Sequence, residues 1–274
     1  MSKGGMKAMA GKDLGYEESS RKLSARIDVN DRFSERSAND LVLEMAAPAE
    51  GEQIVDLCCG TSKQCLPFAQ RVGAKGRVLG LDINPDVLAT ARKVSTGIEQ
   101  VSYQQHDCND PLPVPDSSID LISCCFGIYY IADLDALLEE VLRALEPGGR
   151  FFVIAPASQN NRRFRELHAE VSGKPEPETI TIRRMRMEKE LLPLLDRRFA
   201  RVDVRNFENQ VHITDPTAFM DYYRSTLLLT ETSQDASVRD DLVRRMGERV
   251  AAIIKNEGRY TISKSYLAVL AFKA

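Results

Sequence analysis

The sequence has no tryptophan, only 3 histidines in 274 residues, and no apolar run near the roughly 20 residues that a membrane-spanning helix requires. It also lacks a strong charge of either sign, since 37 Lys and Arg stand against 40 Asp and Glu and the formal net charge is -3 at pH 7. A protein that crosses a membrane by helices is therefore excluded. The molecule as a whole also has no electrostatic attraction to nucleic acid.

The six cysteines lack the spacing of a metal clamp or of a disulfide framework. None belongs to a C-x-x-C pattern, and four of them form the adjacent pairs Cys58-Cys59 and Cys124-Cys125. Neighbours on a strand point to opposite faces of the sheet, so neither pair can close on one ligand. We expect reduced thiols that act as small apolar residues, no metal site and a cytoplasmic location.

The composition is that of an ordinary globular protein, with 43% hydrophobic and 28% charged residues. A chain of 274 residues fits one α/β domain with insertions. Residues 1–15 are rich in Gly, Met and Lys and contain no apolar stretch like that of a secretory signal, so we predict a flexible tail. Residues 16–274 are predicted to form a single domain.

The middle of the chain, residues 50–156, alternates short β-rich apolar runs with helical patterns. This alternation is typical of a parallel sheet built from right-handed βαβ units. Asn84-Pro85 supplies a cap and a proline at a helix start, and Pro147-Gly148-Gly149 ends a helix. We predict strands near 53–58, 77–82, 101–106, 119–125 and 149–155, with helices near 62–72, 85–97 and 133–146.

The flanking segments are predicted to complete this sheet and to cover it. Before the middle segment we predict an amphipathic helix over 31–46 and a shorter helix near 16–23. After it, residues 157–199 and 215–256 are predicted as helical insertions that form a lid, and strands are expected near 201–213 and 260–272. The predicted fold is therefore α/β, a doubly wound, Rossmann-like, mostly parallel seven-stranded sheet with an appended helical lid.

The turn after the first strand carries the strongest functional signal. A phosphate-binding P-loop would end in Gly-Lys-Ser or Gly-Lys-Thr, whereas the order here is Gly60-Thr61-Ser62-Lys63. A dinucleotide fold would have G-x-G-x-x-G, whereas this turn has one glycine. The acid Asp56 near the strand end disfavours a pyrophosphate and favours an ammonium or sulfonium ligand.

Five segments in order resemble the motifs of the class I S-adenosylmethionine-dependent methyltransferases. The first, VDLCCGT, is similar to the V-L-D-x-G-x-G motif of that family, with Cys58 in place of a glycine. Cysteine disfavours a positive φ, so this departure concerns the local backbone. The resemblance covers residues 30–156, and its segments are Val55–Thr61, Gly80–Pro85, Gln105–Cys108, Cys125–Asp133 and Leu145–Arg150.

The resemblance implies a role for each matching residue toward S-adenosyl-L-methionine, the expected cofactor. Asp82 would accept hydrogen bonds from both ribose hydroxyls. Asp107 would accept a hydrogen bond from the adenine amino group, and the Cys108 N–H would donate to a ring nitrogen. For each acid the alternative is a helix cap or turn residue. The full set of expected cofactor-binding residues is Asp56, Cys58, Gly60, Thr61, Asp82, Ile83, Asp107, Cys108, Cys125 and Phe126.

Candidate catalytic groups are few. His168 lies on an apolar stripe of a predicted lid helix and is the best-placed general base, with a packing histidine as the alternative. Tyr129 and Tyr130 follow the fourth strand, where the family lines its acceptor pocket, and we expect one to face the substrate and the other the core. A base is optional, because alignment supplies much of the acceleration in a methyl transfer.

The methyl acceptor is the least defined part of the prediction. The Asn-Pro-Pro-Tyr signature of amino-group methylation is absent, and the stretch from Phe126 resembles the ubiquinone/menaquinone-biosynthesis group. A lid rich in Tyr, Phe and Met indicates an apolar or aromatic small molecule, methylated on O, C or N, as in secondary metabolism. Two alternatives remain, a cofactor-binding protein without turnover and an RNA methyltransferase that uses Arg183, Arg184 and Arg186, although interspersed acids favour a solvated helix there. The sequence leaves a homodimer open.

Overall fold

The computed structural model describes residues 20–274, and the predicted tail at 1–15 and the start of the predicted helix at 16–23 lie outside them. The strands are β1 Gln53–Leu57, β2 Arg77–Asp82, β3 Val101–Gln105, β4 Ile119–Cys125, β5 Leu145–Pro156, β6 Arg201–Ile213 and β7 Tyr260–Phe272. The helices are α1 Ser20–Phe33, α2 Ala38–Ala46, α3 Cys65–Val72, α4 Pro85–Val94, α5 Leu134–Ala144, α6 Arg162–Ser172, α7 Glu178–Arg186, α8 Leu192–Arg198, α9 Pro216–Arg224, α10 Leu227–Thr232 and α11 Ala236–Glu257, with a 3-10 turn at Ile128–Tyr130 and a π-helical turn at Met187–Leu191.

The seven strands form one sheet in the order β3-β2-β1-β4-β5-β7-β6. The first five in this order are parallel, and β7 is antiparallel to both β5 and β6. The chain winds outward to β3 on one side of β1 and returns to β4 on the other side. This reversal makes the carboxyl ends of β1 and β4 the topological switch point, where open α/β sheets bind ligands. The prediction of a mostly parallel, seven-stranded, doubly wound sheet is confirmed.

Both faces of the central strands are buried, each by its own hydrophobic cluster. Val55 and Cys124 belong to the cluster beneath α5 and α8, whereas Ile54 and Cys125 belong to the cluster beneath α2 and α3. Strict alternation along each strand divides the neighbours between the two faces. The central strands therefore read as continuous apolar runs, as expected for a parallel sheet covered on both sides. The adjacent cysteines do point apart as predicted, and all six thiols are free.

A third hydrophobic cluster holds the lid together. It joins α1, α6, α9 and α11 to the first half of β7, and its largest buried side chains are Phe164, Phe219, Tyr223 and Tyr260. The ring of Phe164 meets those of Phe219 and Tyr223 edge to face, with centroids 6.2 and 5.9 Å away. The aromatic content of the lid thus stabilises the lid itself.

Two helix predictions differ from the structure. The predicted helix over 31–46 is interrupted, because Ser34 pairs with Val211 in an isolated β-bridge and the Ser37 side chain caps a new helix by accepting from the Asn39 N–H. The end of the predicted helical insertion at 157–199 is also interrupted, because a π-helical turn at Met187–Leu191 separates α7 from α8. By contrast, the predicted cap at Asn84 is confirmed, and Asp215 caps α9 in the same way. Of the helices in residues 20–274, none combines the length and the apolar character needed to cross a bilayer.

Candidate active site

A cavity of about 820 Å³ lies at the carboxyl ends of the parallel strands, at the switch point between β1 and β4. Its floor comes from the segments that follow β1, β2, β3 and β4. Its walls come from α1, from the α1–α2 connection, from the residues after β5 and from α9 and β7. Side chains from distant parts of the sequence therefore meet there because parallel strands end at one edge of the sheet.

The turn after β1 is held in a left-handed backbone conformation. Cys58, Gly60 and Ser62 have φ values of 55°, 54° and 76°. Cys58 accepts this conformation although it carries a Cβ, and its side chain packs against Gly127, where an added Cβ would lie 2.4 Å from the Cβ of Cys58. The missing side chain at Gly127 thus makes room for the cysteine that replaces the usual glycine. Strained residues of this kind cluster at functional sites.

Asp82 connects this turn to the end of β2. Its side chain is only 4% exposed, and its two oxygens accept from the backbone N–H groups of Gly60 and Asn84, both at 2.9 Å. The neighbouring Ile83 is 47% exposed and also lines the cavity. A buried carboxylate and an exposed apolar side chain therefore lie side by side, and both belong to the predicted cofactor-binding set, with Asp82 predicted to bind the ribose.

The segment after β3 forms the next part of the floor. Asp107 accepts from the backbone and side-chain amides of Asn109 at 2.9 and 2.7 Å, so it also acts as the turn residue that the alternative interpretation predicts. Cys108 is buried beside it and lines the cavity. His106 lines the cavity as well, and its Nε2 is buried without a hydrogen-bond partner among residues 20–274. An orphaned polar atom at this position fits a bound ligand that carries polar groups.

The end of β4 completes the predicted cofactor side. Cys125 is buried, and Phe126 has a φ of 59° and places its ring 5.2 Å from that of Tyr266. The rings of Tyr129 and Tyr130 contact each other with centroids 4.6 Å apart and planes tilted by 56°. Both tyrosines line the cavity, and Tyr129 also packs against the hydrophobic cluster beneath α5 and α8.

Asp56 lies beneath the cavity and does not line it, contrary to the prediction. The side chain is 1% exposed and accepts from the Ser123 hydroxyl at 2.6 Å and the Cys65 thiol at 3.4 Å. Burial raises the pKa of Asp56 to about 7. Alternation along β1 directs this side chain into the layer between sheet and α3, so it supports the turn and does not contact a ligand.

His168 also lies away from the cavity. Its Nδ1 is 2.7 Å from the Tyr223 hydroxyl and its Nε2 is 2.9 Å from the Thr232 hydroxyl, and the ring is buried in the lid. Burial lowers the pKa of His168 to about 4. With both ring nitrogens engaged, His168 is the packing histidine of the alternative interpretation, and we assign it no catalytic role.

The arginines of α7 point inward and not to solvent. Arg186 is buried and donates to the carbonyl oxygens of Tyr129, Ile131 and Ala132, at 3.4 and 3.1 Å for the first and last of these. Arg183 pairs with Glu231, and Arg184 pairs with Glu176 at 3.0 Å. The prediction of a solvated helix face is therefore wrong. Arg186 therefore connects the lid to the turn that carries the two tyrosines, whereas Arg183 and Arg184 form ion pairs within the lid.

Sequence reasoning missed most of the wall opposite the cofactor side. This wall is polar, although the aromatic content of the lid predicted an apolar enclosure. A lysine within a predicted buried strand, 260–272, is the one signal that could have indicated it. The residues of this wall are Asn160, Asn161, Asn209, Tyr222, Lys264 and Tyr266, and we refer to them as the polar wall.

Comparisons with known proteins agree with this geometry. A protein-family model described as a methyltransferase domain matches residues 48–198, more than half of the chain. Among curated proteins, the ubiquinone/menaquinone biosynthesis C-methyltransferase of Methylococcus capsulatus is 35% identical over 131 residues, which are 47% of this chain and 52% of the relative. A demethylmenaquinone methyltransferase of Lactobacillus johnsonii is 33% identical over 114 residues, 40% of this chain and 46% of the relative. The chain thus spans about half the length of the curated relatives it matches.

Solved structures show the same fold. A SAM-dependent methyltransferase from Aquifex aeolicus superposes with a TM-score of 0.55 at 16% identity and covers 93% of this chain and 97% of its own. A [4+2]-cyclase, SpnF, superposes with a TM-score of 0.55 at 18% identity over 93% of each chain. The family model, the fold and the cavity at the switch point lead to one conclusion. This protein belongs to the S-adenosylmethionine-dependent methyltransferase family, and its cofactor is S-adenosyl-L-methionine.

Proposed function

We propose that this protein transfers a methyl group from S-adenosyl-L-methionine to a small-molecule acceptor bound between the two tyrosines and the polar wall. The observation that supports this most directly is the link between Asp82 and Gly60, which fixes a buried carboxylate at the cavity edge. When bound, S-adenosyl-L-methionine supplies an electrophilic methyl group on a sulfonium centre. The chain's task is then to hold and align two molecules.

The residues proposed to hold the cofactor follow the floor of the cavity. The Asp82 carboxylate would accept the ribose hydroxyls, and the strained turn at Gly60 would face the methionyl part. The orphaned Nε2 of His106 gives the floor one more polar contact. Asp56 is not included, because it lies under the turn. The proposed set is Cys58, Gly60, Thr61, Asp82, Ile83, Asp107, Cys108, Cys125 and Phe126.

Catalysis would come mainly from alignment. Holding two reactants in line can lower a barrier by about 7 to 11 kcal/mol, enough to explain most of a methyl transfer without a general base. Tyr129 and Tyr130 are half-buried at the cavity and would contact the acceptor. The turn that carries these tyrosines is held by Arg186, whose guanidinium donates hydrogen bonds to its carbonyl oxygens.

The geometry favours a small acceptor over RNA. A volume of about 820 Å³ is in the range of small-molecule sites and must hold the cofactor as well. The arginines that an RNA site would use are engaged in ion pairs within the lid. Because Tyr129, Tyr130, Tyr222 and Tyr266 line the cavity, an aromatic acceptor with polar substituents fits it best.

The test begins with cofactor affinity. Calorimetry with S-adenosyl-L-methionine should show binding, and Asp82→Asn should weaken it about 10- to 100-fold, the loss expected for a charge-assisted hydrogen bond. Asp86→Asn is the matched control, because Asp86 is exposed on the first turn of α4 and does not line the cavity. Unchanged affinity in Asp82→Asn, with the fold intact by circular dichroism, would contradict the proposal.

Turnover has to be measured separately, since a cyclase shares this fold. Release of S-adenosylhomocysteine should be followed over a panel of phenols, aromatic acids, enols and amines. A methylated product from one of these classes supports the proposal. Cofactor binding without methyl transfer to any of them would favour a binding protein, and methylation of RNA alone would favour the other alternative.

A further inference from the structure

The polar wall contains a lysine in an unusual position. Lys264 lies on β7 between Ser263 and Ser265 and opposite Asn209, and it is only 5% exposed yet lines the cavity. Its Nζ donates to the Tyr222 hydroxyl at 2.9 Å, and the same ammonium lies 4.9 Å from the centroid of that ring. An ammonium group has three hydrogens to donate, so this single hydrogen bond leaves two of them for other acceptors.

Within residues 20–274, no carboxylate lies within ion-pair distance, 4.0 Å, of the Lys264 ammonium. Charged groups on the paired strand β6 and on the α1–α2 connection have other partners. Glu208 accepts from the Ser265 hydroxyl at 2.6 Å, and the Arg36 guanidinium lies over the ring of Phe207 at 4.8 Å. Burying an unpaired ammonium is unfavourable, so a residue of this kind is normally retained where a ligand supplies the opposite charge.

The position of Lys264 relative to the predicted cofactor side is defined by β7. Tyr266 is two residues further along the strand, on the same face as Lys264, and its ring contacts Phe126. Lys264 therefore lies farther from the cavity floor than Tyr266 does, on the side where the acceptor would lie. Asn161 adds to the polarity there, since its Oδ1 is buried without a hydrogen-bond partner among residues 20–274.

We propose that Lys264, supported by Tyr222, binds an anionic oxygen of the methyl acceptor. This inference rests on the proposed function, and it narrows the acceptor class to molecules that carry a phenolate, an enolate or a carboxylate. A phenolate or enolate held there would be kept in its nucleophilic form. A carboxylate would serve as an anchor that orients the rest of the molecule.

The experiment uses the full chain saturated with S-adenosylhomocysteine, with cofactor binding checked first by calorimetry. The first probe is para-nitrophenol, whose anion is coloured, so that its ionisation in the bound state can be followed by absorbance against pH. The second is benzoate, an anion without an acidic hydroxyl. An opposite charge at contact distance should lower the pKa of the bound phenol by about 1 to 3.

Two variants test whether the charge of Lys264 causes these effects. Lys264→Met should return the pKa of the bound phenol to its value in water and weaken benzoate binding about 10-fold or more, whereas Lys264→Arg should keep a lowered pKa. Lys75→Met is the control, because Lys75 is exposed and does not line the cavity. If para-nitrophenol binds tightly and benzoate weakly, the site holds the nucleophilic oxygen of the acceptor. If benzoate binds tightly and para-nitrophenol weakly, the site holds a carboxylate that anchors the acceptor.

The inference is overturned if neither probe binds to cofactor-saturated protein at millimolar concentration. It is also overturned if Lys264→Met leaves both probes bound as in the wild type. Failure of the proposed function has a different signature, because S-adenosylhomocysteine would then not bind at the first step. Cofactor affinity should itself be unchanged in Lys264→Met, which separates the anion site from the cofactor site.

Discussion

Replacing Asp56 by asparagine should change how the stability of this protein depends on pH. Burial raises the pKa of Asp56 from 3.8 to about 7 in the folded chain. Between these values the folded state keeps a proton that the unfolded chain has lost. The free energy of unfolding therefore falls by about 1.4 kcal/mol for each pH unit over this range. The contribution of Asp56 to the free energy of unfolding is fully present below about pH 4 and is lost as the pH rises to about 7. Between pH 5 and pH 7 this contribution falls by about 3 kcal/mol.

His168 acts with the opposite sign and would hide this effect in the wild type alone. Burial lowers the pKa of His168 from 6.5 to about 4, so its contribution to stability is present above about pH 6.5 and is lost as the pH falls toward 4. The two slopes oppose each other over most of the same range. The quantity to measure is therefore the difference in unfolding free energy between Asp56→Asn and the wild type.

Urea denaturation of the cofactor-free protein at several pH values between 5 and 8 measures this difference. Asparagine has nearly the same shape, so its amide can still meet Ser123, and Asp56→Asn should gain stability relative to the wild type as the pH rises. Asp240→Asn is the control, because Asp240 is an exposed carboxylate on α11. A difference that stays constant across this range would refute the argument that burial governs Asp56.

Two further substitutions test the supports of the site. Gly127→Ala should lower the free energy of unfolding by about 1 to 3 kcal/mol, because its Cβ would meet Cys58, and in a Cys58→Gly background most of this loss should disappear. Urea titrations of the four proteins give the coupling, and losses that add within about 0.5 kcal/mol would contradict the contact. Arg186→Met should cost about 2 to 4 kcal/mol in the same assay, since it removes the side chain that donates to three carbonyl oxygens, whereas the exposed Arg244→Met should cost about 1 kcal/mol or less. An equal loss in the two arginine variants would show that Arg186 is not a brace.

The sequence predicted the parts of the fold that depend on local pattern. Continuous apolar runs at β1 and β4, separated by helical periodicity, required a parallel sheet covered on both faces. The caps at Asn84 and Asp215 follow from short polar side chains placed before prolines. Asp82 at the end of β2 was predictable for a different reason, because the carboxyl ends of the parallel strands beside the switch point face the ligand side.

The remaining features depend on which distant segments meet, and a periodic pattern carries no such information. The sequence alone determined the sheet and the cofactor family, since these follow from strand order and from short motifs, and the same motifs predicted the residues that bind the cofactor. Only the tertiary structure showed that Asp56 lies beneath the turn, that His168 is enclosed by Tyr223 and Thr232, and that the arginines of α7 point inward. It also brought Lys264 to Tyr222 across 42 residues of chain. The physical reason is that burial and pairing are set by the neighbours a side chain acquires on packing, and those neighbours decide both its charge state and its access to a ligand.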